Sequence, residues 1–169
     1  MTTDWFQNDA LFLRECAEGH KWERYVVGLL TRDGLKASCP KQTLRDHVSQ
    51  AHQYLQDSDV VVEVGSGREL VFEVKSRRVK FKSPADFPYD DVFVDTVSGW
   101  DAKEPRPVGV ICVSQVTHSV MVLPAGTQPK WERERRYDHV RGFETDFYVA
   151  SRELWGSYGS LVKRLKQLK

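Results

Sequence analysis

The chain has 169 residues, of which 40 % are hydrophobic and 29 % charged, with five tryptophans and a formal net charge of +1. This composition argues against disorder, and a balance so close to neutral leaves the choice of partner to local charged patches. Three cysteines without Cys-x-x-Cys spacing argue against a disulfide framework and a zinc site. Neither a secretory leader nor a bilayer-spanning apolar run is evident. The sequence therefore predicts a soluble, cytoplasmic protein with no membrane partner, folded as one domain over residues 1–169.

The predicted elements alternate between helices and strands. In chain order they are a helix over 8–32, a short strand within LKASC (35–39), a helix over 43–56, strands at 59–64 and 69–76, a loop over 77–90, and strands at 91–97, 107–114 and 119–125. Further on, QPKWERERRYDH predicts a short polar helix, TDFYVAS an edge strand, and residues 152–169 a closing helix. The first helix should end at Asp33-Gly34, a common stop signal. Helices before and after a central sheet favour a mixed α/β layered fold.

The segment SDVVVEVGSGRELVFEVKSRR, residues 58–78, has the pattern of two strands joined by a glycine turn. Side chains alternate along a strand, so Glu73 and Lys75 share one face of the second strand. Both strands are too apolar to lie open to water, which indicates that one face packs under helices. The alternative is an exposed hairpin face on which Glu73 and Lys75 are solvated charges.

The length of the glycine loop decides whether another acid joins this pair. If Gly65-Ser66-Gly67 is a three-residue loop, Val64 pairs with Arg68, and Asp59 falls opposite Glu73. A two- or four-residue loop would put the two acids on opposite faces. We expect the three-residue loop, which brings two carboxylates and an ammonium together, a set suited to Mg²⁺ and its bound waters.

Glu23 lies in the middle of the apolar stripe of the first helix. At about 100° per residue, several apolar or small residues project within about 60° of it. They are Phe12, Cys16, Gly19, Val26, Val27 and Leu30. An ionised carboxylate there is costly without a partner, and a metal or a basic side chain shared with the sheet acids would satisfy it. Gly19 would let the helix approach the sheet closely; the alternatives are that Glu23 reaches past the helix edge or pairs with an arginine.

The segments GHKWERYVVGLLTRDGLKA and SDVVVEVGSGRELVFEVKS resemble the PD-(D/E)xK nuclease superfamily, over roughly residues 19–78. That superfamily shares a helix carrying a glutamate, followed by adjacent strands that carry the Asp and the (D/E)xK. It includes restriction endonucleases, Holliday-junction resolvases and phage or repair exonucleases. The proline of the motif is absent here, since Ser58 precedes Asp59. The resemblance implies a restriction-endonuclease-like mixed sheet flanked by helices.

The resemblance also implies a function and a set of catalytic residues, namely Asp59, Glu73, Lys75 and Glu23. Mg²⁺, with Mn²⁺ able to substitute, would be held by Asp59, Glu73 and the carbonyl of Val74. Glu23 would hold the same ion through water or help to bind a second one, and Lys75 would position the attacking water. The implied protein is a metal-dependent nuclease, endo- or exonuclease, that acts on DNA. A homodimer is one arrangement used by similar enzymes, and the origin would be bacterial or phage. Because no Walker-type loop is present, no nucleotide cofactor is expected.

A dense basic run, KSRRVKFK at 75–82, follows the Glu-x-Lys pair. Four of its side chains are predicted to contact nucleic-acid phosphates, with a solvated loop as the alternative: Arg77, Arg78, Lys80 and Lys82. Asp95 and the triplet Asp101-Ala102-Lys103 imitate part of the motif. No second strand separates them, however, so they are predicted to be turn residues.

Two other functions remain open from the sequence. One is a catalytically silent nucleic-acid-binding or assembly module that retains the nuclease fold. The other is a soluble interaction domain in which the charges merely pair. Binding without turnover would favour the first, and a failure of metal to raise the thermal stability would favour the second.

Overall fold

A computed structural model describes residues 3–40, 59–139 and 141–168 of the chain, and for residues 3–13, 15 and 16 it describes the backbone alone. The helix predicted over 43–56 lies outside the described residues, as do the side chains of Phe12 and Cys16. The helices of the described part are α1 (Thr3–Arg32), α2 (Val97–Asp101) and α3 (Tyr158–Gln167). None of these is both long and apolar enough to cross a membrane.

The strands form two sheets. They are β1 (Lys36–Ser38), β2 (Val60–Val64), β3 (Arg68–Arg77), β4 (Asp91–Thr96), β5 (Gly109–Ser114), β6 (Val120–Pro124), β7 (Glu132–Asp138), β8 (Phe143–Ser151) and β9 (Gly156–Ser157). The larger sheet has the order β1-β2-β3-β5-β6-β9, and the smaller has the order β4-β8-β7. The β3–β5 pair is parallel and the other pairs are antiparallel. The predicted mixed α/β class is confirmed.

The six-stranded sheet separates two hydrophobic cores. On one face, Val60, Val62, Phe72 and Val74 pack with the apolar side of α1 and with Leu165 of α3. On the other face, residues of β5 and β6 pack with the three-stranded sheet and α2; this second core contains Val110, Cys112, Met121, Val92, Val94, Trp100 and Tyr148. Around β5 and β6 the six-stranded sheet is therefore a middle layer with both faces covered, which explains the nearly continuous apolar sequences of these two strands.

Two local predictions are confirmed by glycine backbone angles. Gly34 has φ +87° directly after α1, so the helix ends at the predicted stop signal. Gly67 has φ +86°, and Val64 pairs with Arg68 across the loop. The β2–β3 hairpin therefore has the three-residue loop and the register that the sequence predicts.

Three predictions for the second half of the chain are wrong. The predicted polar helix is instead a 3₁₀ segment, Ala125–Lys130, followed by strand β7. Cross-strand pairing with β8 decides this, since Arg135 faces Asp146 at 2.9 Å. TDFYVAS belongs to β8, which is the central strand of its sheet rather than an edge. The closing helix starts only at Tyr158, after a 3₁₀ turn and β9, because Ser157 caps its first turn.

Candidate active site

The start of β2 places Asp59 against the backbone of β3. The Oδ2 atom of Asp59 accepts a hydrogen bond from the N–H of Val74 at 2.8 Å. In an antiparallel pair a residue directs its N–H and its carbonyl toward the same neighbour, so the Val74 carbonyl also points toward the start of β2. Burial raises the pKa of Asp59 well above its ordinary value, and the nearby carboxylates of Glu73 and Glu23 raise it further. The Asp59 carboxylate and the Val74 carbonyl therefore both lie at the edge of β3 that faces the start of β2.

Glu73 lies on the face of β3 turned toward the smaller sheet, and only 5 % of it is exposed. Each of its oxygens meets one ammonium group: Oε1 is 2.7 Å from Nζ of Lys75, and Oε2 is 2.8 Å from Nζ of Lys103. Burial alone would raise the pKa of Glu73, but the two lysines outweigh it and lower that pKa to about 2. The pKa of Lys75 is raised, because Asp95, Glu73 and Asp59 together outweigh the opposing effect of burial. Glu73 and Lys75 are therefore charged in the folded protein at neutral pH.

Asp95 and Lys103 complete the charged cluster, although the sequence predicts them as turn residues. The Oδ2 atom of Asp95 lies 3.3 Å from Nζ of Lys75 and 3.6 Å from Nζ of Lys103. The prediction is wrong for Asp95, which lies in β4, whereas Lys103 does follow the turn at the end of α2. Strict alternation from Val92 and Val94 would turn Asp95 outward. A register shift between Phe93 and Asp95 places Asp95 opposite the buried Tyr148 instead.

The short helix α2 brings Lys103 back beside Asp95. Thr96 caps α2 by accepting the N–H of Gly99 at 3.0 Å, and the N–H of Lys103 bonds to the carbonyl of Trp100 at 3.2 Å. A Cβ atom added at Gly99 would lie 2.5 Å from Oγ1 of Thr96, so this turn needs glycine. The sequence signal that could have revealed this pair is the Thr-x-x-Gly turn at 96–99. It lies between Asp95 and Lys103, which are eight positions apart.

Glu23 approaches the cluster from the other side of the sheet. It lies on α1, 7 % exposed, beside the buried Val26 and Leu30, as the apolar stripe predicts. Its partner is neither of the alternatives named above but a histidine, since Nδ1 of His20 is 3.1 Å from Oε2 of Glu23. Burial raises the pKa of Glu23 despite His20, with Glu73 adding to the rise and Lys75 opposing it. The negative charge of Glu23 therefore influences the pKa values of the cluster. It acts from the α1 side of the sheet, at the point where Asp59 precedes β2.

The predicted role of Gly19 in close helix–sheet approach is wrong. Among the residues that the structure describes, a Cβ atom added there would meet nothing within 4 Å. The space around Gly19 means that α1 does not need a glycine at this point to reach the sheet.

The basic run after β3 divides into one structural arginine and three exposed cations. The guanidinium of Arg77 donates to the carbonyl of Phe93 at 2.9 Å and to that of Ser76 at 3.2 Å, which ties β3 to β4. Arg78, Lys80 and Lys82 are exposed. The exposed side chains have the freedom that phosphate contacts require, whereas Arg77 is engaged with the backbone.

The donor set suits a hard divalent cation, but the present contacts do not form its ligand shell. Carboxylates that raise one another's pKa are chemically appropriate for Mg²⁺ or Mn²⁺. As the side chains stand, both oxygens of Glu73 are held by lysines. Within residues 3–40, 59–139 and 141–168, no three acidic, histidine or cysteine side chains are arranged to hold a metal. Metal binding would require Glu73 to exchange at least one lysine contact.

Comparison with known proteins adds no relative from which to assign a family. The chain matches no protein-family model, no curated protein and no solved structure.

Proposed function

We propose that this chain is a divalent-metal-dependent nuclease that hydrolyses phosphodiester bonds in DNA. The observation that carries the proposal is the β2–β3 register, which sets Asp59 beside Val74, next to the Glu73–Lys75 pair. This is the arrangement that the PD-(D/E)xK resemblance implies. The packing of α1 on the same hairpin also supports a restriction-endonuclease-like core.

The balance of charge in the cluster supports a divalent ion as the missing partner. Glu23, Asp59, Glu73 and Asp95 are four carboxylates, against which stand the two ammonium groups of Lys75 and Lys103. Apart from His20, which pairs with Glu23 at 3.1 Å, the formal excess is two negative charges. Burial is the main reason that the pKa values of Asp59 and Glu23 are raised, and repulsion from neighbouring carboxylates adds to it. One divalent cation would neutralise the excess.

Each residue has a distinct role in the proposed reaction. Asp59, Glu73 and the Val74 carbonyl would hold the ion, which when bound supplies a Lewis acid that polarises a phosphoryl oxygen and activates water. Glu23 adds negative charge from the α1 side of the sheet. Lys75, oriented by Glu73 and Asp95, presents a positive charge to the phosphate, where negative charge increases during hydrolysis.

The exposed basic side chains support a nucleic-acid substrate. Lys75 is near the end of β3. Arg78, Lys80 and Lys82 come directly after that strand, so they are close to Lys75 along the chain. Cations in this position would contact backbone phosphates and set the register of the strand to be cut. DNA rather than RNA is proposed on the strength of the superfamily resemblance.

The test is cleavage of a panel of duplex, single-stranded and branched DNA with Mg²⁺, with Mn²⁺ and with EDTA. We expect cleavage with either metal and none with EDTA. Lys75→Met should lower the rate by about 10²–10³, the usual effect of removing one transition-state donor. Lys36→Met is the matched control, because Lys36 also pairs with a glutamate, Glu63 at 3.3 Å, but on an exposed edge. Equal rates for Lys75→Met and the wild type would remove Lys75 from the mechanism.

The same ion pairs also suit an interaction domain whose charges only balance one another. Every lysine contact described in the cluster is to a carboxylate of the protein itself. Thermal unfolding separates the two functions, since a metal that binds the folded state raises the Tm. A Tm unchanged by millimolar Mg²⁺ and Mn²⁺, together with no cleavage, would favour the interaction domain.

A further inference from the structure

Lys103 is in a position that protein stability alone does not explain. Its side chain is 13 % exposed, and burying an ammonium group costs free energy even when it is paired. It reaches Glu73 only because the β4 bulge, the Thr96 cap and Gly99 bend the chain back at this point. An apolar side chain would fill the same space at lower cost. The turn thus serves to deliver a positive charge to the cluster.

Glu73 and Asp95, the two carboxylates near Lys103, differ in how closely donors contact their oxygens. Glu73 has one ammonium on each oxygen, at 2.7 and 2.8 Å. Asp95 accepts the N–H of Thr96 on Oδ1 at 2.8 Å, whereas its buried Oδ2 accepts no hydrogen bond from the described residues and has Nζ of Lys75 at an ion-pair distance of 3.3 Å. That oxygen nevertheless lies 3.6 Å from Nζ of Lys103. A small movement of the Lys103 side chain would therefore exchange Glu73 for Asp95 as its partner.

We propose that Lys103 is a second active-site ammonium, which leaves Glu73 when that carboxylate takes a divalent ion and is then held by Asp95 beside the substrate phosphate. The inference rests on the proposed nuclease function and adds two residues to its site. Lys103 would supply positive charge and hydrogen-bond donors to a non-bridging phosphate oxygen, together with Lys75. In the absence of metal, Lys103 competes for Glu73.

If Lys103 competes with the metal for Glu73, its removal should raise the affinity for Mn²⁺ and lower the rate of DNA cleavage. Lys103→Met removes the competitor, so calorimetry should show Mn²⁺ binding tightened by about 3- to 30-fold, within the range of coupling between contacting charges. Single-turnover cleavage at saturating Mn²⁺ should nevertheless fall by about 10–100-fold, because one donor to the phosphate is lost. Lys103→Arg should recover part of the rate. A residue with only a structural role would weaken binding and leave the metal-saturated rate unchanged.

Asp95→Asn tests whether Asp95 receives the displaced lysine. The asparagine can still accept the Thr96 N–H, but it holds an ammonium less well. We expect Mn²⁺ to bind about 3- to 30-fold more weakly to this variant, and we expect a smaller effect in the Lys103→Met background, where only the 3.3 Å contact of Asp95 with Lys75 remains. An equal loss in both backgrounds would overturn the exchange, as would weaker Mn²⁺ binding by Lys103→Met.

Failure of the nuclease proposal is distinguishable from failure of this inference. A wild-type protein that neither binds Mn²⁺ nor cleaves DNA overturns both. A wild-type protein that binds Mn²⁺ and cleaves, with a Lys103→Met variant that cleaves equally fast at saturation, overturns only the role of Lys103. Lys36→Met serves again as the control and should match the wild type in both assays.

Discussion

Asp59 accepts the backbone N–H of Val74 at 2.8 Å, yet its carboxylate lies in the field of two other buried acids. Asp59→Asn keeps an oxygen for the Val74 bond and removes the repelled charge. In EDTA at pH 8 we therefore expect the variant to be more stable than the wild type. Each unit of pKa shift relieved contributes about 1.4 kcal/mol, and each kcal/mol raises the Tm of a chain this size by about 2–4 °C.

The pH dependence gives this prediction a second readout. The folded state raises the pKa of Asp59 above its ordinary value of 3.8, so folding favours the protonated form. Stability is consequently lost as the pH rises above 3.8, and the advantage of Asp59→Asn should grow as the pH rises from 4 until it passes the raised pKa, beyond which the advantage should stay constant. Thermal unfolding across that range measures it. A variant less stable than the wild type at pH 8 would contradict the crowded-carboxylate interpretation, and one whose Tm still rises with Mn²⁺ as the wild type's does would remove Asp59 from the proposed metal site.

Glu73 should show the opposite pH dependence. Its pKa is lowered from 4.5 to about 2, so its ion pairs stabilise the fold fully above pH 4.5 and are lost as the pH falls toward 2. Glu73→Gln leaves two buried ammonium groups short of a counter-charge, at a cost of about 3–5 kcal/mol. Denaturant unfolding at pH 7 and pH 3 should show a large deficit that narrows in acid. A deficit independent of pH would mean that packing, rather than charge, explains the loss.

The β2–β3 hairpin could be predicted from sequence because its structure is decided locally. A glycine in the left-handed position of a three-residue loop sets the register, and the register fixes which side chains lie opposite one another. The buried position of Glu23 on α1 also followed from the helical period alone. These signals need only one segment of the chain at a time.

Asp95 and Lys103 were missed because their positions depend on a distant strand. The bulge that turns Asp95 inward exists only in the pairing of β4 with β8, about fifty residues later in the chain. The same strand explains the error at β7, whose charges alternate without any apolar face to reveal the strand period. Neither the bulge in β4 nor strand β7 can be recognised from its own segment of the sequence. Both depend on pairing with β8, and this pairing overrides local propensity.

Gly99 is predicted to be indispensable for the turn that delivers Lys103. An alanine there would place its Cβ 2.5 Å from Oγ1 of Thr96, which forces either the cap or the helix to move. We expect Gly99→Ala to cost about 1–3 kcal/mol, in the range of overpacking a buried site. The control is Gly159→Ala in α3, where an added Cβ meets nothing within 4 Å and stability should hold or improve slightly. Equal stabilities for the two variants in urea unfolding would contradict this requirement.

Arg77 and Arg78 are neighbours in sequence with opposite expected effects on stability and DNA binding. Arg77→Ala leaves the carbonyl of Phe93 without its 2.9 Å donor, so it should lower the unfolding free energy by about 1–3 kcal/mol. Arg78→Ala removes an exposed side chain and should change stability by less than about 0.5 kcal/mol. In fluorescence anisotropy with duplex DNA and EDTA, Arg78→Ala should instead weaken binding and reduce the salt slope by about 1. Full DNA affinity in Arg78→Ala and in the corresponding Lys80 variant would move the phosphate contacts away from the end of β3.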